Sequence, residues 1–313
     1  MVSASKMVAE IPALLRKATA HGFSVSLESP GSPTYFRAGS SFDGFVFSTE
    51  PLSLCCSFSE HPNASIFICY RFAVSTLVII PTYNEAATIG TVLQQVMAQP
   101  GGLHVLVVDD GSPDGTAQHV QQIQQKHPDR VFLMERTGKQ GLGSAYRDGF
   151  RFALERDYTC ICEMDADLSH DPDDLPRLIE PVAADQTDLA IGSRYIDGVR
   201  VIDWPLPRLV LSYGAGMYTR AITRMPIQDV TAGFKCFHRR VPAYLDFDRV
   251  RSNGYAFQVE MHFRTWRAGF RIQEIPVIFT ERSEGQSKMS KAIVREAAWK
   301  VWELRLRDLI GRL

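Results

Sequence analysis

From Thr76 onward, short apolar runs alternate with longer stretches of helical periodicity, and each run stops at acidic or polar residues. Leu77-Val-Ile-Ile80, His104–Val108, Val131–Met134, Tyr158–Met164 and Leu189–Gly192 are predominantly apolar, broken only by His104, Thr159 and Glu163. A strand apolar on both faces must be covered on both faces, which is the condition of a central strand in a parallel sheet. The intervening segments, Ala86–Gln99, Asp114–His127, Leu142–Glu155 and Asp173–Val182, read as the covering helices, and Thr82 to Glu85 matches a capping box before the first. The expected fold class is therefore α/β, a mostly parallel sheet flanked by helices.

Such sheets bind ligands at the carboxyl ends of their strands. The residues at those ends are Pro81-Thr-Tyr-Asn-Glu85, Asp109-Asp-Gly-Ser112, Asp165-Ala-Asp167 and Ser193-Arg-Tyr195. Two carboxylates two residues apart at a strand exit converge on one hard divalent cation, of the kind that bridges protein carboxylates and substrate phosphates; the same residues also serve as turn formers or N-caps. Asp109 and Asp110 end a strand and need a solvated or paired site, with a nucleoside hydroxyl or base edge as one such partner. Asp114 fits a helix cap. Gly138-Lys-Gln-Gly-Leu-Gly143 is neither a Walker A loop nor a dinucleotide fingerprint. Its glycines suit a tight approach to a helix start, with Lys139 beside it as an anion contact or a solvated lysine. Arg194, Arg208, Ser212 and Lys235 are candidate anion contacts, as is the segment Arg282-Ser-Glu-Gly-Gln-Ser-Lys288. His170 follows the acidic pair, but no G-x-S-x-G elbow accompanies it, so Ser-His-Asp catalysis is not supported.

Seven segments in order resemble family-2 glycosyltransferases of the GT-A fold, and within them the dolichol-phosphate mannosyltransferases (polyprenol monophosphomannose synthases). They are Pro81-Thr-Tyr-Asn-Glu85, Val108-Asp-Asp-Gly-Ser-Pro-Asp-Gly-Thr116, Gly141-Leu-Gly-Ser-Ala-Tyr146, Asp165-Ala-Asp-Leu-Ser-His170, Gly192-Ser-Arg-Tyr195, Asp229-Val-Thr-Ala-Gly-Phe-Lys235 and Arg282–Lys288. The resemblance implies inverting transfer of mannose from GDP-mannose to a polyprenyl or dolichyl phosphate. Carried over by position, Pro81, Tyr83, Glu85, Asp109, Asp110, Asp165 and Ala166 would hold the nucleotide sugar, with Arg282 and Lys288 closing on its phosphates. Asp165 and Asp167 would hold Mg²⁺ or Mn²⁺. Ser169 stands where the family often has Gln as a further metal ligand, and its shorter side chain would reach an ion only through water. Arg194, Arg208 and Ser212 would hold the acceptor phosphate, and together with Asp167 they form the expected catalytic set. Competing readings are a UDP-glucose or other nucleotide-sugar transferase on the same fold, and a non-catalytic nucleotide-binding module. A dinucleotide oxidoreductase conflicts with the glycine-free end of the first strand.

A lipid acceptor requires membrane contact. Pro205–Met225 and Lys291–Leu313 mix aliphatic and aromatic residues with arginines, as helices lying in a membrane interface do; packing on the core or a dimer face would use the same pattern. No stretch reaches the roughly 18–20 apolar residues of a spanning helix, which implies a peripheral association with the cytoplasmic face of a membrane, directly or through a membrane-anchoring partner subunit. With 34 Lys plus Arg against 35 Asp plus Glu, nothing in the charge balance points to nucleic acid. Six cysteines are too few for a disulfide scaffold. The expected organisation is an extension over residues 1–75, poorly ordered or upstream of the natural start, with a short helix at Ile11–Ala20. A catalytic domain over 76–290 and an amphipathic C-terminal helix over 291–313 follow it.

Overall fold

The computed structural model describes residues 74–311 except 248, 251, 253 and 282–290, and, upstream, two antiparallel pairs of two-residue strands, Ser24–Val25 with Phe36–Arg37 and Leu54–Cys55 with Cys69–Tyr70. The helix expected at Ile11–Ala20 lies outside the described residues. Residues 1–73 and 74–313 are separate compact units.

In the second unit, seven strands form one sheet. In chain order they are β1 (Thr76–Thr82), β2 (His104–Asp109), β3 (Val131–Glu135), β4 (Cys160–Glu163), β5 (Leu189–Ser193), β7 (Lys235–His238) and β8 (Ile272–Pro276). Between β5 and β7 runs a two-residue strand, β6 (Val201–Ile202), which pairs outside the sheet with β9 (Phe279–Thr280). The sheet order is β8-β5-β7-β4-β1-β2-β3. Six strands run parallel; β7 is antiparallel to both neighbours, with Lys235 opposite Glu163 and Ile191. Helices α1 (Ile89–Ala98), α2 (Thr116–Lys126), α3 (Leu142–Leu154) and α4 (Leu175–Ala183) connect the first strands, so the alternation expected from sequence is the alternation observed. Further along come α5 (Leu206–Thr223), α6 (Arg240–Tyr244), α7 (Gly254–Arg267) and α8 (Lys291–Leu309), the last packed on α5 and α7.

The all-apolar β1 is explained by its neighbours. Leu77 and Ile79 face one core with Tyr146, Phe150, Phe257 and Phe263, whereas Val78 and Ile80 face the other with Val92, Leu93, Leu175 and Leu178. All four β1 residues are fully buried, and each contributes roughly 1.5–3 kcal/mol of transfer free energy. Cys160, Cys162 and Cys236 of the second unit are buried free thiols in the second core. The capping box expected at Thr82–Glu85 does not form. Helix α1 starts three residues later, at Ile89, and the Thr82 hydroxyl instead donates to Asp109 Oδ1 at 2.7 Å. The strand runs on to Thr82 because that bond ties β1 to β2, so the threonine is unavailable to a helix.

Helix α3 crosses β1 at Gly149. A methyl there would lie 2.6 Å from Ile79 Cγ2 and 2.9 Å from its Cδ1, in a fully buried contact. Overpacking costs about 1–3 kcal/mol, against ~1 kcal/mol of helix propensity gained on replacing Gly by Ala. Gly149→Ala should therefore lower the stability measured by urea unfolding by roughly 1 kcal/mol; a higher midpoint would contradict this packing.

Candidate active site

The carboxyl ends of β1, β2, β4 and β5 open into one cavity of about 780 Å³. Its polar end is lined by Pro81, Thr82, Tyr83, Glu85, Asp110, Lys139, Asp165, Ala166, Asp167 and Arg194. Toward α5, α7 and α8 the lining turns apolar, with Val210, Leu211, Ala215, Val259, Val301 and Leu304, and it includes Arg208, Ser212 and Lys300.

The acidic strand ends divide into two kinds. Asp109 is buried and accepts from Thr82 Oγ1, from the Ser112 amide at 2.8 Å and from Ser112 Oγ at 2.6 Å; it does not line the cavity. Asp110 is buried against Arg136, whose Nε donates at 2.7 Å, and also accepts from the amides of Gln140 and Gly141 at 3.1 and 3.0 Å. These partners satisfy a charge that burial alone would make costly, and they fix the 137–141 loop over the end of β2. Gly111 packs on that loop: it has φ +68°, and a Cβ there would lie 2.9 Å from the Gly138 amide. Asp110 thus helps build the wall of the polar end of the cavity, and Asp109 supports it from behind. Asp114 accepts from Thr116 and from the Ala86 amide at the start of α2, as a cap should.

Asp165 and Asp167 are of the other kind. Both line the cavity, and the Asp165 side chain keeps 32% of its surface exposed. Asp167 is oriented by Ser169, whose amide and hydroxyl donate to its Oδ1 at 3.1 and 2.5 Å. Ser169 itself is buried and does not line the cavity. Its short side chain turns to Asp167 rather than into the cavity, so Ser169 acts on the site through that carboxylate. His170 is positioned in the same way. Its Nδ1 accepts from the Asp165 amide at 3.1 Å, and its ring stacks on Phe234 at 4.8 Å. Negative charge is concentrated here. Burial first, then Asp165 and Glu163, push the Tyr146 phenol well above its ordinary range. Among the described residues no three His, Cys, Asp or Glu gather as a complete metal cage. Two carboxylate groups facing a cavity nevertheless fit a hard cation that takes its remaining ligands from water and a diphosphate.

The cations are less available than their sequence positions imply. Arg194 is a buried cavity-wall residue in a bidentate pair with Asp229, Nε–Oδ2 2.7 Å and Nη2–Oδ1 2.6 Å, and it also donates to Thr231 at 2.9 Å. One edge of its guanidinium is thus taken before any phosphate arrives. Asp229 is fully buried, so removing either partner would strand a charge, the case in which buried pairs matter most. Arg208 pairs with Glu281 and lies 4.1 Å from the Trp204 ring. Ser212 accepts from Tyr195 at 2.8 Å. Lys235 does not reach the cavity as an anion contact: it is fully buried between Glu163 at 3.5 Å, Gln258 and His262 at 3.0 Å. Its position opposite Glu163 in the β7–β4 ladder decides this. Lys139 lies 4.3 Å from the Tyr83 ring at the polar end of the cavity. Arg282 and Lys288 lie outside the described residues. Lys300, paired with Glu303 at 2.8 Å, and Gln258 were missed by sequence reasoning, because helical periodicity marks both only as helix residues.

Comparison with known proteins agrees with this geometry. The profile of Glycosyl transferase family 2 matches residues 77–243. A polyprenol monophosphomannose synthase of Mycolicibacterium smegmatis is 46% identical over 237 residues, 76% of this chain and 89% of that protein. An undecaprenyl-phosphate mannosyltransferase of Micrococcus luteus is 44% identical over 233 residues, 74% of this chain and 95% of that protein. Among solved structures, Mycobacterium tuberculosis glucosyl-3-phosphoglycerate synthase, in complex with Mn²⁺, UDP-glucose and phosphoglyceric acid, shares the fold. It aligns with a TM-score of 0.55 at 15% identity, covering 74% of this chain and 79% of that one. The extent of these matches, and the strand-end carboxylates they span, place this chain in glycosyl transferase family 2.

Proposed function

We propose that this enzyme transfers mannose from GDP-mannose to a polyprenyl phosphate, inverting the anomeric centre. The observation that carries this reading is the continuity of the cavity: strand-end carboxylates at one end and an apolar wall from α5, α7 and α8 at the other. A soluble sugar acceptor has no use for that wall, whereas an isoprenoid phosphate needs one end of each kind. The names of the two closely similar relatives point the same way.

Asp165 and Asp167 would hold Mg²⁺ or Mn²⁺, which when bound offsets negative charge on the departing nucleotide. The other roles belong to the chain itself. Ser169 orients the Asp167 carboxylate, and His170 holds the Asp165 backbone through its amide. Pro81, Tyr83, Glu85 and Ala166 shape the donor end of the cavity, and the Asp110–Arg136 pair fixes its loop. Arg282 and Lys288 keep their sequence-based assignment to the donor phosphates. Arg208 and Ser212, on the first two turns of α5, are placed to meet the acceptor phosphate where the cavity turns apolar, with Arg194 behind them in its pair with Asp229. A phosphate monoester with a second pKa near 6 is already largely dianionic at neutral pH. It needs alignment behind the sugar rather than a strong base.

No helix among the described residues is long and apolar enough to cross a membrane. Helices α5 and α8 nevertheless expose Leu206, Val210, Met217, Trp299, Leu306 and Leu309, with Trp299 at 67%. Apolar and indole side chains beside the arginines of the same helices suit a peripheral seat on an anionic membrane surface, which would place the mouth of the cavity at the lipid headgroups.

The direct test supplies radiolabelled GDP-mannose or UDP-glucose, polyprenyl phosphate and Mn²⁺ or Mg²⁺, then extracts lipid. Label should enter the organic phase from GDP-mannose, and Asp167→Ala should reduce it by roughly 10²-fold or more with the fold intact by circular dichroism. Label from UDP-glucose alone would reassign the donor, and full activity of the variant would remove the carboxylate pair from the chemistry. Separately, co-sedimentation with vesicles containing anionic lipid should weaken severalfold in Trp299→Ala/Leu306→Ala; equal binding would contradict the α5–α8 seat.

A further inference from the structure

Behind the acidic pair lies a fully buried polar cluster. Glu163 on β4 and Lys235 on β7 face one another across the ladder at 3.5 Å. Lys235 Nζ also reaches His262 Nε2 at 3.0 Å, while His262 Nδ1 lies 3.1 Å from the Val230 carbonyl oxygen. The carbonyl takes the Nδ1 proton, so Nε2 is left to accept from the ammonium. Burial, then Lys235, holds this imidazole well below its ordinary pKa, in the neutral form. The third partner of Lys235 is Gln258 on α7, whose Oε1 accepts from Nζ. An ammonium is only a donor, so this bond decides which end of the amide is which. Oε1 points to the lysine, and the donor Nε2 points the other way.

That donor has no hydrogen-bond partner among the described residues, although Gln258 is only 2% exposed and lines the cavity. A buried N–H without a partner costs about 1–3 kcal/mol, and such groups in a binding site await a ligand. Glu163 is close enough to attract one of the two amide hydrogens, though not in hydrogen-bonding geometry; the other faces the space beside Gly233. A Cβ on Gly233 would sit 3.7 Å from Gln258 Nε2, 3.8 Å from Asp165 Oδ2 and 3.6 Å from His170 Cε1. A donor and a carboxylate acceptor therefore flank one small space at the cavity wall. A group that both accepts and donates, a hydroxyl, fits that pair; a phosphate oxygen, acceptor only, fits the amide but opposes the carboxylate.

We infer that Gln258 is a substrate-binding residue, donating an amide N–H to a hydroxyl of the transferred sugar, with buried Lys235 acting as the positioning residue that sets the sense of its amide. The assignment rests on the transferase reading above. It explains why Glu163 and Lys235 are paired inside a core that apolar side chains would otherwise fill: the pair fixes a neutral donor beside the sugar without presenting a second cation to it. It also gives Gly233 a role, since any side chain there would occupy the space of the hydroxyl.

The test separates sugar from nucleotide. Full-length wild type, Gln258→Met and Gly233→Ala are titrated calorimetrically with GDP and with GDP-mannose in Mn²⁺, with thermal melts as a control of folding. Gly233→Ala meets no contact tighter than 3.6 Å and has no left-handed backbone to strain, so it should fold even if Gln258→Met does not. Both variants should bind GDP within about twofold of wild type and GDP-mannose about tenfold more weakly, the scale of one neutral hydrogen bond. Equal losses for GDP and GDP-mannose, or GDP-mannose affinity unchanged in a folded variant, would overturn the assignment. Wild type that binds neither nucleotide would contradict the transferase reading itself, a result distinct from a loss confined to the variants.

Discussion

Carboxylates cannot be buried without partners, and that constraint organises this molecule. The sheet brings Asp109, Asp110, Glu163, Asp165, Asp167 and Asp229 close to its central strand ends, all but Asp165 largely out of water. The structural ones are met by the protein: Asp110 by Arg136 and two amides, Asp229 by Arg194, Glu163 by Lys235, Asp109 by hydroxyls. Those pairings hold the loops and the antiparallel β7 in place. Asp165, whose backbone amide His170 holds, and Asp167, whose carboxylate Ser169 orients, are carboxylates that the frame turns toward a cavity. The site is thus defined by where the protein directs its counter-charges elsewhere.

The same division explains what could be read in advance. Strands and helices of the first half were legible because burial on both faces of β1, β2 and β4 leaves apolar runs with no period of two, and because the intervening helices carry one apolar face. The cavity end of the sheet followed from strand polarity alone. Partnering was not legible. Arg194 and Lys235 look like anion contacts in the sequence, yet their partners, Asp229 and Glu163, stand 35 and 72 residues away and meet them only through the fold. The antiparallel insertion of β7 carries no sequence signal that separates it from its neighbours, and it is what buries Lys235. Thr82 was misread for a related reason, since its short hydroxyl side chain takes a carboxylate that only the fold brings near, Asp109 of the neighbouring strand.

Function follows from how the two ends of the cavity are joined. The strand ends supply a polar, carboxylate-bearing end, which the proposed reading assigns to the nucleotide sugar, while α5, α7 and α8 supply an apolar wall that leads from it. Basic and apolar side chains lie on the same two helices, α5 and α8, so a chain without a spanning helix among its described residues can still meet a lipid substrate at its headgroup. On the proposed reading, the reacting phosphate would enter from the side of α5 and α8 and the nucleotide from the strand ends. Opposed entry of this kind favours a single in-line displacement over a covalent intermediate.

The central claim is that Asp165 and Asp167 seat a divalent ion together with the nucleotide. Mn²⁺ binding followed by electron paramagnetic resonance, with and without GDP, tests it most directly. The account predicts weak Mn²⁺ binding by the protein alone, strengthened about tenfold or more by GDP, and loss of that strengthening in Asp165→Asn and Asp167→Asn. Coupling between Mn²⁺ and GDP that survives both substitutions would contradict it.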